Sequence, residues 1–217
     1  MKHQDRSQTS IEELVIIKKI MDEVMGCKFI DFDKTERKIS IVFNGEIYNY
    51  IELRQLLSTR GYTFRTYSDT EVLLNMFIEF GSEMLNMLNG IFAFAIYDTS
   101  KNEYFIARDH FGIIPLYMGW DSSGTLYVAS ELKALEGVCN KIELFPPGHY
   151  WHSKEERPAQ WYDPDWKAFK KVENNSTSIQ ELHDALSNAV HRQLMSDVPY
   201  GVLSVSYTHL RAHETSL

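Results

Sequence analysis

Cysteine is nearly absent from this chain of 217 residues: there are two, Cys27 and Cys139. Two thiols make no disulfide framework, so the expected compartment is a reducing one. Basic residues are outnumbered, 22 Lys and Arg against 30 Asp and Glu, for a formal charge of −8. Phosphate recognition needs basic stripes, which excludes a nucleic-acid partner. Long apolar runs are missing as well. The longest, Ile91 to Tyr97, falls far short of the roughly 20 residues that a membrane-spanning helix needs. The opening Met1-Lys2-His3-Gln4-Asp5 is too polar for a secretory signal. The expectation is a cytoplasmic protein without membrane contact, and 44% hydrophobic content suffices for a full core.

What is present centres on Val42 to Asn49. Ile41-Val42-Phe43 reads as the end of a buried strand, and Asn44-Gly45 as a tight turn, since glycine tolerates positive φ. Asn49 then caps a helix, with Glu52 three residues on to close a capping box. Such a turn presents a side-chain amide and a backbone N–H in one direction, a pair suited to stabilising an oxyanion. A plain strand–turn–helix connection is the alternative that these residues leave open. The helix runs to Arg60, with Ile51, Leu53, Leu56 and Leu57 apolar, and Gly61 ends it. Tyr62 to Tyr67 reads as a short strand. Ser68-Asp69-Thr70-Glu71 is a Ser-x-x-Glu capping box that opens a helix over Thr70–Phe80, stopped by Gly81. Asp69, at the positive end of that helix, reads as a capping carboxylate.

Upstream, Ile11 to Met25 has the spacing of an amphipathic helix, and Lys28–Phe32 and Lys38–Phe43 read as strands. Downstream, Ile91–Tyr97, Glu103–Arg108, Leu116–Trp120 and Thr125–Ala129 are strands joined by short polar turns. Helices followed by a meander indicate an α+β fold. Arg108-Asp109 reads as a structural ion pair with no chemistry. Phe145-Pro146-Pro147-Gly148 turns into a last strand, and 153–177 reads as a linker that Trp161 and Tyr162 anchor. A helix over Ile179–Met195, capped by Ser178, and a buried strand Val198–Leu203 follow. His209 and His213 have the i,i+4 spacing of a metal pair but no third ligand, so no metal site is expected.

Five stretches, Asn44 to Asn49, Ser68 to Glu71, Arg108 to Tyr117, Ala129 to Leu135 and Ser196 to Leu203, occur in an order and at separations that carry a resemblance. Together they resemble the glutamine-hydrolysing asparagine synthetases of the bacterial B type, which are class II (N-terminal nucleophile) glutamine amidotransferases. The resemblance runs from Ile39 to Leu203. It implies a four-layer αββα sandwich of mainly antiparallel sheets, followed by the first helix and strand of an α/β synthetase domain. It divides the chain into an atypical segment (1–38), an incomplete amidotransferase domain (39–152), a linker (153–177), the start of the synthetase domain (178–204) and a tail (205–217). The tail resembles the translation of a sequencing-library adapter.

By the same resemblance, Asn44 and Gly45 form the oxyanion hole, Asn44, Gly45, Glu46 and Asp69 bind glutamine, and Leu203 lies against the adenine of ATP. The parent enzyme is expected to hydrolyse glutamine and to amidate aspartate with ATP and Mg²⁺. Its partners are then glutamine, aspartate and ATP, and the resemblance leaves room for a homodimer. The chain departs from the pattern at both ends. Lys2 stands where the family carries its nucleophilic cysteine, and Cys27 lies too close to Asn44 to replace it. The arginine that meets the substrate carboxylate and the ATP phosphate loop are also missing. The expectation is an inactive fragment as written. The alternatives are a catalytically dead glutamine-binding or scaffold domain, and an amidotransferase of this superfamily with another acceptor.

Overall fold

A computed structural model describes residues 28–34, 37–195, 199 and 201. Strands β1 (Lys28–Lys34), β2 (Arg37–Ile47), β3 (Gly90–Asp98) and β4 (Glu103–Arg108) pair successively, each antiparallel to the next. The chain then builds a separate three-stranded sheet from β5 (Tyr117–Trp120), β6 (Leu126–Ala129) and β7 (Lys141–Leu144), in the order β6-β5-β7. Strands β8 (His149–His152) and β9 (Ala159–Gln160) return to the first sheet and complete its six strands beyond β4.

Side-chain alternation along β3 sets the layers. Phe92, Phe94 and Ile96 share one face and pack with Phe43, Phe105 and two helices, α1 (Tyr50–Thr59) and α2 (Asp69–Phe80). On the other face Ala93, with Ile106 and Trp151, meets Met118 and Val128 of the small sheet. Large residues thus fill the helical side, while the small Ala93 and Ala95 let the second sheet approach. Phe43, Phe92, Phe94 and Phe105 are each at most 1% exposed, and burial of each contributes roughly 1.5–3 kcal/mol. Helix, large sheet and small sheet are three layers of the expected sandwich. Among the described residues, the outer face of the small sheet carries a 3₁₀ turn, Leu132–Ala134, beside Leu135, Tyr127 and Ala129. The helix read over Ile11–Met25 lies outside the described residues.

Several local expectations need correction. The stretch from Tyr62 to Tyr67 is not a strand but a loop. Glu71 organises it, accepting from the Arg65 and Thr66 N–H groups at 2.8 and 2.7 Å and from the Thr66 hydroxyl at 2.6 Å. Glu71 therefore does not close a capping box; Ser68 alone caps α2, through the Thr70 N–H at 3.2 Å. Asn49 holds the N-cap position of α1, yet its side chain makes no capping bond. It accepts instead from the Asn89 N–H and donates to the Met87 carbonyl, both at 2.9 Å. Asn49→Ala should accordingly cost about 1–3 kcal/mol by stranding that segment, whereas Glu52→Ala, at an exposed site, should leave a urea-unfolding midpoint almost unmoved. Equal effects would restore the capping box.

Part of the stretch read as linker joins the large sheet, because Ala159 and Gln160 pair with Tyr150 and His149. The second compact unit, from Ser176 onward, contains α4 (Ile179–Gln193); α3 (Phe169–Val172) is a single turn in the first unit. In α4 the Ser178–Glu181 capping box is complete in both directions. Most of the strand read over 198–203, Leu203 included, lies outside the described residues. No described helix is long and apolar enough to cross a membrane.

Candidate functional site

The sheet ladder, rather than a turn, places Asn44, Gly45 and Glu46. They continue β2 opposite Ala93, Phe92 and Ile91 of β3, so the expected tight turn at Asn44-Gly45 is corrected. Local Asn-Gly chemistry is overridden by pairing along a long neighbour. Gly45 nonetheless needs to be glycine. Its φ is +135°, and a Cβ there would overlap the Ile91 carbonyl oxygen. All three residues are half-buried.

Asp69 meets the end of that strand. Its Oδ2 accepts from the Ile47 N–H at 3.2 Å, two residues beyond Gly45. Its Oδ1 accepts from the Ser68 and Thr70 hydroxyls, each at 3.4 Å. The carboxylate is 4% exposed and sits in the first turn of α2, where the helix dipole favours an anion. The strand that carries Asn44, Gly45 and Glu46 and the helix that carries Asp69 are thus tied at one point.

Residues that the sequence reading left without a role support this point from the β3 side. Asp109 is fully buried. Its carboxylate accepts from the N–H groups of Phe92, Phe111, Ile113 and Ile114 at 3.0–3.3 Å. Since Phe92 is the ladder partner of Gly45, Asp109 braces the strand directly behind it. The Tyr48 hydroxyl is held above its ordinary pKa, first by burial, then by the Glu46 and Asp109 carboxylates. The expected Arg108–Asp109 ion pair is corrected too. Arg108 donates to the carbonyls of Ile114, Phe145 and Gly112 at 2.7–2.8 Å, so the two side chains divide the loop's acceptors and donors between them. The readable signal was an Asp followed three residues later by glycine, a side-chain-stabilised turn.

Trp161 anchors as expected: its indole N–H donates to the Arg108 carbonyl at 3.2 Å, and its ring stacks on Phe92. Cys139, the one free cysteine among the described residues, sits against Gly119. Burial, and then Asp121, push its thiol up, which is opposite to nucleophile activation. Cys27 and Leu203 lie outside the described residues. Among the described residues no group of three His, Cys, Asp or Glu side chains is placed to hold a metal ion.

The chain is similar to known proteins. A family described as a glutamine amidotransferase domain matches residues 31–145. Asparagine synthetase B (glutamine-hydrolysing) of Escherichia coli strain K12 is 51% identical over 163 residues, covering 75% of this chain and 29% of that protein. A probable asparagine synthetase of Schizosaccharomyces pombe is 44% identical over 168 residues, covering 76% of this chain and 30% of that protein. The chain thus spans under a third of these relatives' length. Among solved structures, a glutamine phosphoribosylpyrophosphate amidotransferase from B. subtilis, complexed with ADP and GMP, aligns with a TM-score of 0.52 at 26% identity, covering 62% of this chain and 31% of that one. An allosteric regulatory enzyme of purine biosynthesis aligns at the same TM-score with 28% identity, covering 61% of this chain and 30% of that one. With more than half of its length inside the family match, the chain belongs to the glutamine amidotransferase domain family.

Proposed function

We propose that this chain is the glutamine-binding part of a glutamine-dependent asparagine synthetase. The observation that carries the proposal is the Asp69 carboxylate, buried and bonded to Ile47 N–H beside Gly45. In this reading Asp69 receives the α-ammonium group of glutamine. The Asn44 amide and the Gly45 N–H face the side-chain carbonyl as it becomes an oxyanion, and Glu46 completes the grip on the backbone groups. Asp109 is a positioning residue behind Phe92.

Hydrolysis also requires a thiolate beside a free α-amine, and Cys139, with its raised thiol pKa, does not supply one. In the parent protein the released ammonia would amidate aspartate, with ATP and Mg²⁺ supplying the activation and Leu203 lying against the adenine. Support for that wider activity comes from the relatives' names.

Binding, not turnover, is the test for the residues described. Calorimetry of the full chain with L-glutamine should show saturable heat. Asp69→Asn should weaken it by about tenfold or more, a loss of about 1.4 kcal/mol, while far-UV circular dichroism stays unchanged. Glutamine bound equally well by a folded Asp69→Asn protein would overturn the assignment.

A further inference from the structure

A cavity of about 450 Å³ opens at the end of the large sheet away from Gly45. Asp98, on its wall, lies six residues along β3 from Phe92, or about 20 Å at a strand's rise. The cavity is therefore distinct from the Asp69 site. Its size is within the range of small-ligand pockets, roughly 300–1,000 Å³. The apolar wall is Phe77 and Ile78 of α2, with Phe77 packed on Phe105 at 4.9 Å between ring centres.

Its charges do not cancel locally. Glu103 is matched by Lys154 at 2.7 Å. Asp98 keeps its charge and accepts hydrogen bonds from the Ser100 N–H at 3.1 Å and hydroxyl at 2.5 Å. His152 accepts at Nδ1 from the Lys154 N–H at 3.1 Å, which leaves Nε2–H towards Glu103, and burial pushes its pKa down. The ring is therefore neutral. Two lining groups remain. Lys101 makes no ion pair with a described residue. Glu155 is fixed by the Tyr150 hydroxyl on Oε1 at 3.1 Å and by the Trp151 indole on its carbonyl at 3.0 Å. Its Oε2 is buried and has no hydrogen-bond partner among the described residues. A buried acceptor without a donor costs roughly 1–3 kcal/mol. Lys101 and Glu155 both line this cavity.

We infer that this cavity binds an α-amino acid as its zwitterion. The ammonium group meets Glu155 Oε2, the carboxylate meets Lys101, and an apolar side chain lies on Phe77 and Ile78. The occupant supplies the donor that Glu155 lacks and matches the opposite charge that Lys101 carries.

His152 lies on the wall and reports occupancy through its imidazole NMR resonances. The full chain would be titrated with L-leucine, with isoamylamine, which keeps only the ammonium end, and with 4-methylvalerate, which keeps only the carboxylate end. Leucine should shift the His152 resonances saturably, and each half-ligand should bind about tenfold more weakly or worse. Glu155→Gln preserves shape, and Lys101→Met alters an exposed turn. Each, folded by circular dichroism, should weaken leucine about tenfold, while Asp69→Asn leaves it unchanged. Isoamylamine binding as tightly as leucine would make this a cation site and overturn the inference. So would the absence of a saturable shift, which would mean that water alone meets Glu155. A response abolished by Asp69→Asn but kept by Glu155→Gln would assign the effect to the glutamine site and likewise overturn it.

Discussion

Gly45→Ala is expected to lower the unfolding free energy by about 4 kcal/mol, much of the total that a domain of this size holds. Two costs combine there. At φ +135° an L-residue is strained, a cost of about 1–3 kcal/mol. The added Cβ also overlaps the Ile91 carbonyl oxygen, a backbone atom held in the β2–β3 ladder, and forced overpacking costs about 1–3 kcal/mol more. Two other glycines separate these terms. Gly124 has φ +90° with nothing near its would-be Cβ, so Gly124→Ala carries strain alone. Gly90 lies across the same ladder, where a Cβ would overlap the Glu46 carbonyl oxygen, so Gly90→Ala carries overlap without positive φ. Urea midpoints should rank Gly45→Ala lowest, with each single-cost variant above it. Because Gly45 also lies in the proposed oxyanion site, its variant should lose glutamine binding even where it remains folded. A Gly45→Ala protein within about 1 kcal/mol of the parent would show that the strand relaxes around the methyl group.

The contrast between Gly45 and Gly81 shows where the sequence is readable. Gly81 ends α2 at φ +56°, its N–H donating to the Phe77 carbonyl, and a helix stop is a local event that glycine announces. Gly45 follows Asn44 in a pattern that locally means a turn, yet β3 pairs with it residue for residue. The partner strand lies more than forty positions away, and nothing near Asn44 signals it. Asn49 fails because its partners are distant in sequence, and Glu71 because a neighbouring loop competes with the cap. Both had short-range capping partners on offer, and both are taken by other groups, the 87–89 segment and the 65–66 loop. The place of Asp69 at a helix start was legible from Ser68 and the helical spacing that follows, whereas its bond to the strand end was not. Nor was Asp109, since its partners come from both β3 and its own loop.

Asp109→Ala should cost about 3–5 kcal/mol, because it leaves several buried N–H donors without an acceptor at about 1–3 kcal/mol each. The carboxylate is fully buried and meets four N–H groups, three of them in the loop that follows β4. Without it those donors are stranded, and Arg108, 5% exposed, loses the neighbouring negative charge. Burial already pulls the pKa of that guanidinium down, and Asp109 opposes the pull. The cation has no route to neutrality near pH 7, so the fold must either open the loop or hold an uncompensated charge. Asp109→Asn tests which loss dominates. It keeps one acceptor for the Phe111 and Ile113 N–H groups, but sets an amide NH₂ against the Phe92 and Ile114 donors. Its cost should be intermediate, about 2 kcal/mol. Amide hydrogen exchange gives the local readout. In Asp109→Ala, exchange at Phe111, Ile113 and Ile114 should accelerate well beyond that of Leu73 or Met76 in α2, while Phe92, shared with Gly45, carries the disturbance into the proposed glutamine site. Uniform acceleration across loop and helix would instead mean that Asp109 supports the whole fold and does not brace this loop specifically.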